Sequence, residues 1–243
     1  GHGFFVPVVA GYIVWQSRED LAATPVRPSW WGLLLVLLGS LQSIIGTLGV
    51  ELFLSRTALV ITLTGVVWTV GGLPWLKKLA FPLFLLTFMV PLPAVIYNSV
   101  TFPLQILASR LAEGALTILS VPVLRSGNVL ELPMGKLSVV EACSGIRSLL
   151  SLTFLSLVYG YFFETSRRRR VALFVATFPI AIAANGSRVT ITGILAQIKP
   201  EFAEGFFHES TGWVMFMLAL LLLVGFHQVV SRAGRMIERR RNA

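Results

Sequence analysis

The chain has 243 residues, of which 55% are hydrophobic and only 13% are charged, and its mean hydropathy is +0.80. A soluble domain of this length would carry about a quarter charged residues, so the composition excludes an ordinary soluble fold and indicates a protein that crosses a membrane several times. The net charge of +9 is compatible with nucleic-acid binding, but the positions of the basic residues decide what it means.

Seven apolar runs mark the predicted helices in chain order. Most of them reach the ~20 residues that a helix needs to cross a hydrocarbon core of about 30 Å. The first run is too short to span alone, and the chain begins with Gly rather than Met, so we expect that a preceding segment is missing. We therefore predict one integral membrane domain over residues 1–243, all-α and polytopic, with about seven visible transmembrane helices. The runs are Phe4–Gln16, Trp31–Val50, Thr57–Leu76, Leu79–Tyr97, Gly145–Phe163, Val171–Ile198 and Thr211–Val230.

Residues 98–142, between the fourth and fifth runs, have a different pattern and are predicted to form an insert outside the cytoplasm. Their first part, Phe102–Leu119, places polar residues four apart on a helix, which is typical of a helix in the membrane interface or against other helices. This polar stripe consists of Gln105, Ser109, Glu113 and Thr117. Three short β-rich runs with Gly-containing breaks follow, and they predict a small β-hairpin or meander. The β-rich runs are Val121–Leu124, Val129–Leu132 and Leu137–Val140.

The basic residues define an orientation, because cytoplasmic loops retain Lys and Arg. If Arg167–Arg170 and the basic tail, residues 231–243, are placed in the cytoplasm, alternation of the preceding spans also places Arg18, Arg27, Lys77 and Lys78 there, so that 13 of the 20 Lys and Arg residues lie on that side. Seven of the 11 acidic residues then lie on the other side. The positive charge is therefore explained as an orientation signal, and we expect a lipid bilayer rather than a nucleic acid as the partner surface.

Cys143 is the only cysteine of the chain, which excludes a disulfide framework and a cysteine-based metal site. Zinc-protease, nucleotide and dinucleotide motifs are absent from the sequence, so we expect neither a metal nor a cofactor. A lone cysteine is most often a small buried hydrophobic residue. Here it stands where the fifth span begins, with Ser144 as the predicted helix cap, and a helix N-terminus favours the reactive thiolate.

Two further polar residues are predicted at the same membrane face as Cys143. Arg188 lies 17 residues into the sixth run, about 26 Å up a core of about 30 Å, and Asn185 and Ser187 accompany it. His208 precedes the seventh run at the same end. A thiol active site needs a base and a donor for the oxyanion, and these residues supply both. A snorkelling arginine, a solvated loop histidine and an inert cysteine stay open as alternatives.

Three stretches together resemble the motifs of the exosortase/archaeosortase family. They are VVEACSGIRS at Val139–Ser148, NGSR at Asn185–Arg188 and HESTGW at His208–Trp213. The segments Phe81–Pro93 and His2–Pro7 are also similar to exosortase sequence, so the resemblance extends over nearly the whole chain. It implies a fold with about eight spans in the intact protein.

The resemblance also implies an activity, that of a cysteine transpeptidase or endopeptidase of the bacterial inner membrane, acting on the periplasmic face. Its catalytic residues would be Cys143, Arg188 and His208. Its substrates would be exported proteins with a PEP-CTERM-type tail, in which a Pro-Glu-Pro motif precedes one transmembrane helix and a basic C-terminus. Such enzymes are associated with exopolysaccharide loci.

Three nearby residues are expected to bind substrate or to support the site, namely Ser144, Arg147 and Asn185. The alternative is a non-catalytic membrane subunit or transporter of an exopolysaccharide export system. A transporter predicts paired broken helices or inverted repeats, and no internal repeat is visible in the sequence.

Overall fold

The computed structural model describes residues 2–133, 135–139, 145–203 and 205–241. In this part of the chain, five helices are long and apolar enough to cross a membrane, and Phe5–Gln16 is a shorter apolar helix. The prediction of an all-α polytopic membrane protein is thereby confirmed. The five are Trp30–Leu48, Leu52–Met89, Ile146–Phe163, Arg167–Ile198 and Glu209–Gly234. The chain forms two compact units, Gly1–Ala94 and Val95–Ala243, which are described in turn.

The first unit consists of four α-helices and two 3-10 turns, His2–Phe4 and Leu86–Met89. The predicted boundary between the third and fourth spans at Lys77 and Lys78 is displaced, because the helical geometry breaks earlier, at Gly72, and resumes through both lysines. Lysine is a good helix former and does not interrupt a helix. The chain next leaves the helical conformation at Pro91 and Pro93, which cannot supply the backbone donors that a helix needs. The helices are α1, Phe5–Gln16; α2, Arg18–Ala22; α3, Trp30–Leu48; and α4, Leu52–Leu85.

Helices α3 and α4 pack through small residues. Gly32, Gly39 and Gly46 recur every seven residues on α3, and all three are buried. A Cβ at Gly39 would collide with the Thr62 hydroxyl of α4, and one at Gly46 would lie 2.6 Å from the Ser55 amide nitrogen. Such close contact between backbones is how helices associate in lipid, where apolar side chains gain nothing from leaving the hydrocarbon.

Helix α4 is kinked at Gly72, whose φ of 72° and ψ of −167° are not helical. The extended segment before α3 lies against the kink, and its amides use carbonyls that the kink frees. Arg27 N donates to Gly71 O at 3.2 Å, and Ser29 N donates to Thr69 O at 3.1 Å. A backbone polar group in a membrane must find such a partner within the protein.

Gly72→Ala is expected to destabilise the protein strongly, by more than about 2 kcal/mol, since alanine at this φ is strained and its Cβ would overlap the Arg27 carbonyl oxygen. The matched control is Gly11→Ala in α1, where no described atom lies within 4 Å of the added Cβ. Unfolding of the two purified variants in detergent measures the difference. Equal unfolding midpoints would contradict the proposed need for glycine at the kink.

The second unit begins with a helix and a three-stranded antiparallel sheet of order β1-β2-β3. The predicted meander is confirmed, but its first strand starts three residues later than predicted and its third starts two residues earlier. The reason is the tightness of the first turn, in which Gly127, at φ 65°, and Asn128 alone connect Ser126 to Val129. The elements are α5, Ala94–Ile118; β1, Leu124–Ser126; β2, Val129–Leu132; and β3, Gly135–Ser138.

The first three residues of the polar stripe of α5 face this sheet. Three of its side chains bind the first turn and the adjoining strand: Gln105 Oε1 accepts from Asn128 Nδ2 (3.2 Å), Ser109 Oγ donates to Gly127 O (3.1 Å), and Glu113 Oε2 accepts from Arg125 Nε (2.7 Å). Hydrogen bonds thus fix the orientation of the sheet on the helix.

Three long segments complete the unit: α6, Ile146–Phe163; α7, Arg167–Ile198; and α8, Gly205–Arg241, with a 3-10 turn, Pro200–Ala203, before α8. The sheet is held between α5 and α7 by a common apolar core. Leu130 and Val139 of the sheet segment, Leu116 of α5 and Val189 of α7 all belong to this core and are fully buried. The sheet therefore packs directly beside Arg188, the neighbour of Val189.

Candidate functional site

Helices α6, α7 and α8 form a bundle in which α7 is antiparallel to the other two. Its middle is an apolar core that includes Leu152 of α6, Leu173 and Ala181 of α7, and Leu223 of α8. The bundle has a Gly145 end, where α6 begins, and a Glu164 end, where α6 turns into α7. The described parts of the three sequence motifs include Ser148, Arg188 and Gly212, which lie near the Gly145 end.

A small pocket, whose volume is about 310 Å³ when the solvent at its open mouth is included, opens between these three helices near the Gly145 end. Its polar lining consists of Ser148 from α6 and Asn185 and Arg188 from α7, and Gly212 of α8 closes one side. Most of its other lining residues are apolar, among them Ala181 and Ala219. We call it the Arg188 pocket; it combines an apolar surface with a cation and two hydrogen-bonding side chains.

Gly145 is the N-cap residue of α6, at φ 48°. The cap predicted from the sequence, Ser144, precedes this glycine and lies outside the described residues. A Cβ at Gly145 would lie 3.0 Å from Asn185 Nδ2. The glycine thus lets the start of α6 approach Asn185, which is 9% exposed.

Arg188 lies against the backbone of α8. A Cβ at Gly212 would be 3.0 Å from Arg188 Cζ and 3.1 Å from its Nη2. His208 is one helical turn before Gly212 on α8, and residues four apart share one face of a helix. The backbone therefore places His208 on the face of α8 that contacts Arg188; its side chain is not among those described.

The other predicted site residues divide into two groups. Cys143 and Ser144 lie outside the described residues, and the described chain resumes at Gly145. Arg147 stands in the first turn of α6 with an exposed side chain, while Asn185 and Arg188 line the same pocket. The structure thus brings the described parts of the three motifs to one pocket.

The family model for transmembrane exosortases matches residues 1–225. This chain belongs to that family. The family resemblance found in the sequence is thereby confirmed, and membership supports a membrane-embedded sorting enzyme. No curated protein and no solved structure matches the chain. Among the described residues of this exosortase, no group of three or more His, Cys, Asp or Glu side chains is placed to hold a metal ion.

Sequence reasoning missed a polar cluster at the Glu164 end of the exosortase bundle. Glu164 is only 4% exposed, and its carboxylate is shared by residues from α7 and α8. We call these residues the Glu164 cluster. The contacts are His227 Nε2 to Glu164 Oε2 (3.0 Å), Ser231 Oγ to Glu164 Oε2 (3.1 Å), Arg169 Nε to Glu164 Oε1 (3.0 Å) and Tyr159 OH to His227 Nδ1 (3.1 Å).

These contacts keep the Glu164 carboxylate charged. Burial raises its pKa, but hydrogen bonds from the Ser166 amide, His227, Arg169 and Ser231 outweigh burial and lower the pKa from 4.5 to about 2. A sequence signal was available, since His227 and Ser231 are four apart near the end of an apolar run. That spacing indicates a shared helix face but does not identify Glu164 as the partner.

Proposed function

We propose that this exosortase is a cysteine transpeptidase or endopeptidase that cleaves the C-terminal sorting tail of exported proteins through a thioester. The observation that carries the proposal is the Arg188 pocket, where α6, α7 and α8 bring together residues of all three motif stretches: Ser148, Asn185, Arg188 and Gly212. The proposed nucleophile, Cys143, precedes Gly145 by two residues in the sequence, and the proposed base, His208, precedes Gly212 by four.

In the proposed reaction, the Cys143 thiolate attacks the scissile carbonyl carbon after its proton passes to His208. A C–S bond forms, and the carbonyl electrons move to the oxygen, which Arg188 stabilises as an oxyanion. When the C–N bond breaks, the leaving amine takes the proton from His208. Water or an amine acceptor then attacks the thioester and regenerates the thiol.

The proposed substrate matches both ends of the bundle. A tail with a Pro-Glu-Pro motif, a transmembrane helix and a basic C-terminus would keep its basic end in the cytoplasm, the side on which the charge rule also places Arg167–Arg170. Its scissile segment would then emerge at the Gly145 end, on the periplasmic face of the inner membrane. An apolar pocket with a polar edge suits a peptide that leaves lipid for water.

Alkylation of the single thiol tests this function. Right-side-out vesicles containing the full chain and a cysteine-free tagged substrate are treated with a membrane-impermeant maleimide. Because Cys143 is the only cysteine, the labelled fraction reports that residue alone. We expect processing to fall in proportion to labelling. Complete labelling with undiminished processing would exclude a thiol nucleophile, whereas the absence of processing before labelling would favour the alternative of a non-catalytic export subunit.

A further inference from the structure

Gly212 occupies an unusual place for a glycine. It lies inside α8, where glycine costs about 1 kcal/mol relative to alanine, and its backbone is not in the left-handed region that favours glycine. The space beside it is filled by the Arg188 guanidinium, whose Cζ, Nη2 and Nε would be 3.0, 3.1 and 3.4 Å from an added Cβ. By contrast, Gly225 of the same helix has no described atom within 4 Å of its Cβ position.

The backbone of α7 cannot easily move away from α8 to make room. On one side of Arg188, Val189 is fully buried in the core beneath the sheet. On the other, Gly186 is so close to α5 that its own Cβ would lie 3.0 Å from Leu111 Cβ. A side chain at position 212 would therefore displace the guanidinium rather than the helix.

We propose that Gly212 is a positioning residue, whose missing side chain holds the Arg188 guanidinium against α8, one turn from His208. The inference rests on the proposed function, in which Arg188 stabilises charge on the reacting atoms. A displacement of about 1 Å in such a group can cost about 100-fold in rate. Gly212 sets the position of the cation and does not itself touch the substrate.

The first test compares matched substitutions on one helix. Gly212→Ala is expected to lower kcat for tail cleavage by about three- to tenfold, and Gly212→Leu by about 100-fold, with little change in KM. Gly225→Ala and Gly225→Leu are the controls, because they add the same atoms at a position where the surrounding space is open. They should leave kcat within about twofold of the parental value. Equal losses at both positions would overturn the proposal.

A double-mutant cycle separates positioning from a general structural effect. In an Arg188→Lys background, whose side chain has no guanidinium to displace, Gly212→Ala should cause no further loss of kcat. If the two losses simply multiply, Gly212 acts independently of Arg188 and the proposal is wrong.

A third measurement needs no enzymatic activity. In the cysteine-free background of Cys143→Ala, Gly212→Cys introduces a thiol that displaces the guanidinium only slightly, because Arg188 remains anchored at the same place on α7, so the cation stays a close neighbour of the thiol. A nearby cation lowers the pKa of a thiol from its ordinary value of about 8.5. We expect the alkylation midpoint of this thiol to shift to higher pH when Arg188→Gln is added.

The outcomes of this measurement are distinct. If the alkylation midpoint shifts but the parent protein, which retains Cys143, never processes substrate, the proposed function is refuted and the placement of Arg188 stands. No shift would refute the placement itself, whatever the activity of the parent protein.

Discussion

Cys143→Ala is expected to abolish tail cleavage, reducing the rate by about 10⁴- to 10⁶-fold, because no other side chain in the chain can form the thioester. The measurement is the release of the tag from an exported substrate in vesicles that contain equal amounts of folded enzyme. Substrate binding should persist, since alanine removes the nucleophile without adding bulk. The inactive variant is therefore expected to accumulate uncleaved substrate in its complex.

The matched control for this variant is Thr117→Ala, which also trims a side chain to alanine. Thr117 is exposed on α5, and among the described residues its hydroxyl donates to the Glu113 carbonyl of the same helix. This variant should process substrate at the parental rate. Residual cleavage by Cys143→Ala within tenfold of the parent would show that the nucleophile lies elsewhere.

Glu164→Gln is expected to cost about 3 kcal/mol of stability, because it removes one charge from a buried group of partners and leaves Arg169 and His227 facing a neutral amide. The control is Glu131→Gln, which breaks the exposed ion pair with Lys136 (2.6 Å) and should cost less than about 1 kcal/mol. Unfolding of both variants in the same detergent measures the difference. Equal losses of unfolding free energy in the two variants would show that burial of the Glu164 cluster does not increase its contribution to stability.

The same substitution should change how stability depends on pH. The pKa of Glu164 is lower in the folded protein, about 2, than its ordinary value of 4.5, so the unfolded chain binds the proton more readily. The contribution of Glu164 is fully present above pH 4.5 and is lost as the pH falls towards 2. Glu164→Gln should lack this component of acid destabilisation, which parallel melts across that range would reveal.

Local patterns were sufficient for much of the fold. The apolar runs located the spans of the second unit, and the turn residues located the sheet. The kink at Gly72 was not predicted, because its cause is the Arg27 segment, which is far away in sequence. Similarly, the spacing of Gln105, Ser109 and Glu113 predicted a polar face but not that it binds the sheet.

The sequence predicted the depth of each site residue in the membrane but not the contacts between these residues. Counting residues along each span brought Asn185, Arg188 and the start of α6 to one end of the bundle, and the pocket has them together. The role of Gly212 was not predicted, because the sequence does not show whether the space beside a helical glycine is open or is filled by another side chain. His227 and Glu164 are 63 residues apart, and only the folded bundle joins them.

Helix α8 carries Gly212 near one end and His227 towards the other, 15 residues or about 22 Å away on one continuous helix. Successive residues of a helix are turned by about 100° around its axis, so a twist of α8 by that angle would present Thr211 or Trp213 to Arg188, and a smaller twist would already turn Gly212 away from it. The Glu164 cluster resists that twist, since His227 is held by both Tyr159 and Glu164. The polar contacts of His227 at one end of α8 therefore fix the rotation of the helix about its axis, and with it the face that α8 presents to Arg188 at the other end.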